Sequence, residues 1–153
     1  MPRRNLLRKK AKLVTGVYPK SIVDFGKIYS EFIANFGPNT GSATTFLGVS
    51  RRESADGKKS IRALVMESYE RHANRILKQI CGEVKKKYGL NEIIIIHALG
   101  SFKPGEAVVF VGVSSPRREQ SFKALRKAVE RYKKEPALFK QEIYTNRTRA
   151  WIE

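Results

Sequence analysis

Lys133 and Lys140 stand seven residues apart in RYKKEPALFKQE (131–142), with Pro136 between them. A lysine that is desolvated, or held near other cations, has a lowered pKa and works as an acid/base or an amine nucleophile. Other cations recur at the ends of apolar runs. Arg51 and Arg52 follow TTFLGVS, and Arg117 and Arg118 follow AVVFVGVSSP. Brought together, such side chains would bind a phosphate or carboxylate, arginine bidentately and lysine as a point charge. A plainer account competes with this one. Lysines at a helix C-terminus meet its dipole favourably, and most charge runs are solvated surface.

Other chemistries find little support. The sequence has no Walker A loop, GxGxxG, HExxH, CxxC or serine nucleophile elbow. Cys81 is the single cysteine, which rules out an internal disulfide framework and fits a reducing, cytoplasmic setting. It reads as a packing residue, and His97, at the end of an apolar strand, as a satisfied buried imidazole. His72 and His97 are the two histidines, too few for a zinc site without cysteines. No resident cofactor or metal is expected.

The net charge of +17 predicts affinity for anions: nucleic acid, phosphorylated small molecules or an acidic protein. Arg3, Arg4, Arg8, Lys9, Lys10 and Lys12 carry +6 before any acid appears. Residues 1–17 thus form a basic N-terminal arm, either a solvated tail or a contact for nucleic acid or a partner. Residues 18–153 are expected to form one domain. No apolar run approaches the ~18 residues a membrane span needs.

The elements that must position these cations follow from hydrophobic period. Ser21 is placed to cap a helix with Asp24 three residues on, and apolar residues from Ile22 to Phe36 recur at helical spacing until Gly37-Pro38. Residues 42–50 and 61–68 read as strands about a polar loop containing Asp56-Gly57. A second helix spans about 71–88, with Gly89 just beyond it. Residues 92–97 form a continuous apolar strand, GSFKPGE turns the chain, and 107–115 form the next. The third helix presents Phe122, Leu125, Ala128, Val129 and Tyr132 on one side and ends at Pro136. FKQEIY and RAWIE close the chain as short strands, with Trp151 as a packing anchor. The order α-ββ-α-ββ-α-ββ implies an α+β domain with a mainly antiparallel sheet.

The run TTFLGVSRRESADGKKSIRALVMESYERHANRIL resembles the large, catalytic subunit of molybdopterin synthase. That family reads F-x-G-x-x-R, a Gly-containing turn, then L-x-x-E-x-Y. Here these are Phe46, Gly48, Arg51, Gly57, Leu64, Glu67 and Tyr69. The likeness continues through IIIIHALGSFKPGEAVVFVGVSSPRREQSF and ends in ERYKKEPALFKQE, covering about residues 40–153.

The resemblance implies an α/β hammerhead fold with a small added antiparallel β subdomain. It implies a sulfurtransferase that converts cyclic pyranopterin monophosphate (precursor Z) into the molybdopterin dithiolene. Sulfur would arrive as a thiocarboxylate on the C-terminal glycine of a small ubiquitin-like subunit. Two large subunits would form a homodimer within a heterotetramer. By the same motifs Lys133 is the principal catalytic lysine, as proton donor/acceptor or as an amine engaging the partner's acyl group. Lys140 positions substrate and stabilises developing charge. Arg51 and Arg118 match anion-binding arginines, and Gln141 and Glu142 share the pocket segment. Three departures stand out. Arg117 replaces a family histidine, Ala98 replaces an arginine, and the sequence ends at WIE where the family often runs on. Two alternatives remain: a basic nucleic-acid-binding module, and a family member that only binds the small subunit.

Overall fold

The computed structural model describes residues 12–152; the basic run from Arg3 to Lys10 lies outside them. The element order is β1 (Gly16–Pro19), α1 (Phe25–Ala34), β2 (Ser42–Val49), β3 (Ile61–Ser68), α2 (Glu70–Tyr88), β4 (Glu92–Phe102), β5 (Ala107–Ser115), α3 (Arg118–Tyr132), β6 (Leu138–Tyr144) and β7 (Arg149–Ile152). The sheet runs β2-β5-β4-β3-β6-β7. Every pairing along that path is antiparallel, and β1 adds to β4 in parallel. The α+β class with a mainly antiparallel sheet is as expected. β1 is an addition that the hydrophobic pattern does not announce.

β4 changes partners along its length. Residues 92–97 pair with β5, and Gly16 to Pro19 lie along Ile96 to Leu99. Gly100, Ser101 and Phe102 pair instead with β3. Gly100 sits at φ 134°, a conformation that side-chain-bearing residues avoid, at this change of partner. The strand therefore continues through Phe102, and the turn reduces to Lys103–Glu106 rather than the whole of GSFKPGE.

The helices cover the sheet unevenly. α2 and α3 bury Leu77, Ile80, Val84 and Ala128 against Ile95 and Val111. α1 lies over the opposite face, with Ile28 and Phe32 against Ile96 and Phe110. Each large apolar side chain removed from water in this way contributes roughly 1.5–3 kcal/mol. A smaller cluster, including Leu64, Met66, Ala98 and Phe102, underlies β3 and β6.

Helix ends depart from expectation in instructive ways. Ser21 belongs to a short 3₁₀ turn, and Asp24 is the N-cap of α1, accepting from Lys27 N at 3.1 Å. Asp24 wins because its carboxylate is the one within reach of the first turn's free N–H groups. Gly89 closes α2 in the left-handed conformation, as the sequence suggests. α3 ends at Tyr132, before Pro136, and the amides of Lys134 and Glu135 both donate to Arg131 O. Its buried stripe is Ser121, Ala124, Ala128 and Tyr132, while Phe122 is exposed. Small residues win that face because the helix lies close to β2, with Ser42 and Ser121 hydroxyls 2.7 Å apart. Trp151, expected to anchor packing, is 60% exposed on edge strand β7.

Candidate active site

A cavity of about 560 Å³ opens where β2 ends and the sheet passes from β4 to β3 and β6. Ser50, Arg51, Lys133, Lys140, Glu142, His97 and Tyr132 supply its polar lining. Each arrives on a different logic. Arg51 follows β2 after Ser50. Lys133 is the C-cap of α3 and Tyr132 is that helix's last residue. Lys140 and Glu142 alternate on β6, opposite Met66 and Leu64 of β3, so both face the cavity. Strand alternation turns Gln141 to the other face, and it does not line the cavity.

Two local devices shape the wall. Gly48 permits the β2–β5 contact, because a Cβ there would overlap Val109 Cγ1 and press on the Phe46 ring. The register shifts at Gly48 and Val49, bringing the end of β2 round the cavity mouth. The Lys133 Nζ then lies 5.7 Å from the Phe46 ring centroid, a cation–π distance. The turn that carries Lys133 is pinned from outside. Arg131 donates to both carboxylate oxygens of Glu135 and reaches Glu83 of α2 at 2.6 Å.

The electrostatics are one-sided. Among the described residues, Arg51, Lys133 and Lys140 take part in no ion pair. Burial lowers the pKa of Lys140; Glu142 opposes the shift, and Lys133 and Arg51 add to it. Glu142 is 5% exposed and accepts a 2.8 Å hydrogen bond from the Tyr144 hydroxyl. Burial drives His97 down to about 4, with Lys140 contributing, and raises Tyr132 to about 12. Three cations without an ion-pair partner among the described residues, with the Glu142 carboxylate beside Lys140, surround a concave space able to take an anion, and the lowered pKa of Lys140 is the kind that acid/base chemistry uses.

The structure thus brings Arg51, Lys133, Lys140 and Glu142 together. It leaves Arg117 and Arg118 elsewhere. They begin α3, whose 15 residues span about 22 Å, and neither lines the cavity. Cys81 is buried in the core, its thiol pushed up to about 11 by burial, as suits packing. His97 is buried as expected, yet it also lines the cavity, and so does Tyr132. The sequence offered no spacing signal for these two. Between them they close its aromatic floor, with ring centroids 6.1 Å apart.

An α+β domain with lysines converging from a helix end and a strand start frames a candidate anion site. The comparisons with known proteins narrow it. The family model described as MoaE protein matches residues 20–135. Molybdopterin synthase catalytic subunits are similar across kingdoms. The Bacillus subtilis one is 38% identical over 68% of this chain and 65% of its own length. The Rattus norvegicus one is 30% identical over 87% and 68%. The chain belongs to the MoaE family, that of the molybdopterin synthase catalytic subunit. It spans only 28% to 34% of the Drosophila relatives it matches.

Solved structures share the fold. Molybdopterin synthase from Staphylococcus aureus superposes with a TM-score of 0.79 at 22% identity, over 91% of this chain and 96% of that one. A Helicobacter pylori complex of subunits 1 and 2 of molybdopterin-converting factor gives 0.67 at 18%, over 92% and 88%.

Proposed function

We propose that this chain is the catalytic subunit of a molybdopterin synthase. It would transfer sulfur from the C-terminal thiocarboxylate of a small ubiquitin-like subunit to cyclic pyranopterin monophosphate, making the molybdopterin dithiolene. The observation that carries this is the convergence of Arg51, Lys133 and Lys140 on one cavity without ion-pair partners among the described residues. The substrate carries a cyclic phosphate and the partner an anionic tail, so both require cations there. The buried Cys81 is unsuited to carry sulfur, which agrees with delivery by a partner.

In this reading Lys133 acts on the partner's terminal acyl group, as proton donor/acceptor or as an amine. Its ring contact with Phe46 and the clamped turn behind it hold it at the mouth. Lys140 binds developing negative charge, with Glu142 orienting it from the same strand face. Arg51 binds the phosphate. Arg117 and Arg118 sit too far along α3 to join the cavity of their own chain. A homodimer would let them enter the cavity of the other copy. A cytoplasmic location accords with the single thiol and with the absence, among the described residues, of a helix long and apolar enough to cross a membrane.

Reconstitution tests the proposal. Purified chain, thiocarboxylated small subunit and cyclic pyranopterin monophosphate are mixed and the dithiolene product assayed. Product formation is expected; tight binding of the small subunit without product would leave only a binding role. The +17 charge favours nucleic acid as a second reading. Steep loss of RNA or DNA affinity with salt, without product formation, would support it.

A further inference from the structure

His97 is 3% exposed, and its Nδ1 lies 2.8 Å from the carbonyl of Ala98. A carbonyl only accepts, so Nδ1 carries the proton and Nε2 is an acceptor. Nε2 has no hydrogen-bond partner among the described residues. The side-chain atoms sealed from solvent without a partner are Ser50 Oγ, Ser68 Oγ and Asn91 Oδ1. Nε2 is not one of them, so it opens onto the cavity that His97 lines. A buried polar atom left open in this way calls for a partner, since an apolar side chain would fill the space without the desolvation cost.

The cavity's other polar groups show what that partner is. Arg51, Lys133 and Lys140 can only donate, while the Ser50 and Tyr132 hydroxyls can donate or accept. Glu142 already accepts from Tyr144 and faces Lys140 from the same strand face. An anionic ligand is served by the cations, but a ligand that also carries N–H or amino groups needs acceptors, and Nε2 of the neutral imidazole is a group that can only accept. We propose that His97 binds the small-molecule substrate, its Nε2 accepting a hydrogen bond from an N–H or amino group on the substrate's nitrogen heterocycle. This rests on the function proposed above and adds a subsite to it. Burial and the nearby Lys140 keep the imidazole uncharged, which preserves the acceptor. The edge-on contact with Tyr132 holds the ring plane.

The test uses the full chain with thiocarboxylated small subunit, varying cyclic pyranopterin monophosphate. His97→Leu removes the acceptor, and His97→Gln places an amide oxygen near the position of Nε2. A rise of about tenfold in KM is expected for the leucine variant, with partial recovery in the glutamine variant and unchanged affinity for the small subunit. An unchanged KM in His97→Leu, with wild-type turnover intact, overturns the inference. Absence of product from the wild-type chain instead strikes at the proposed function. Should His97→Leu fail to fold, ¹⁵N-histidine labelling of the wild-type chain decides, because His72 and His97 are its two histidines. On addition of cyclic pyranopterin monophosphate the His97 Nε2 resonance should move and those of His72 stay. No movement of His97 at saturation overturns the inference.

Discussion

The two ends of α3 carry similar residues and have different fates. At its start, Arg117 and Arg118 stand in water; the Arg118 side chain is 78% exposed beside Glu119. At its finish, Lys133 is exposed too, but it stands at the rim of a cavity lined by Lys140 of β6 and by the buried His97 and Tyr132. Charge alone does not make a site. What differs is company: beside the C-terminal end β6 brings a second, half-buried lysine to the same cavity, whereas Arg118 lies against Glu119 in solvent. Burial of Lys140 on β6 lowers its pKa, with Lys133 and Arg51 adding to the shift.

The sharpest way to break this contrast is Lys133→Ala. Product formation should fall at least about a hundredfold, whereas Lys134→Ala, one residue on, should stay near wild type. Equal losses in the two variants, in the reconstituted assay, would show that local charge matters and a place in the cavity wall does not.

Complementation asks whether the exposed end is idle or serves another copy. Lys133→Ala and Arg118→Ala chains, each weak alone, are mixed. If Arg118 acts across a two-fold interface, one site of each mixed dimer is intact; with random re-pairing about half the dimers are mixed, so activity should recover toward roughly a quarter of wild type. No recovery would confine Arg118 to its own chain.

Acid tests the enclosed end directly. Unfolded, the His97 imidazole titrates near 6.5; folded, at about 4. Between those values the unfolded chain binds more protons, so acid favours unfolding. The contribution is intact above about pH 6.5, and about 3 kcal/mol of it is lost by pH 4. Urea titrations across that range should show the loss in wild type and a flatter profile in His97→Leu. The smallest effect is expected outside the cavity. Arg131→Met removes the clamp to Glu135 and Glu83 and should cost about 1 kcal/mol or less. A much larger cost would mean the clamp holds the helix end rather than trimming it.

Much of this was legible in the residues. β2, β3 and β5 carry alternating or continuous apolar runs bounded by turn residues, and their limits fall where expected. β1 was not legible. Four residues are too few to show a period, and its pairing with β4 is decided by contacts 80 residues away. Arg51, Lys133, Lys140 and Glu142 were marked by spacing and motif. Gln141 was misjudged as their neighbour, although alternation along a strand separates it from both flanking residues. His97 and Tyr132 read as core, because burial and cavity lining look alike in a sequence. Only the junction of sheet and helix end distinguishes them.

Trp151 is the chain's single tryptophan and projects from β7 opposite Gln141. Its neighbour Ile152 lines the cavity and pairs with Lys140. With 60% of its surface in water, the indole serves as a built-in optical probe. A partner settling over β6 and β7 would dehydrate it and shift its emission to the blue, so docking can be followed in real time without a label.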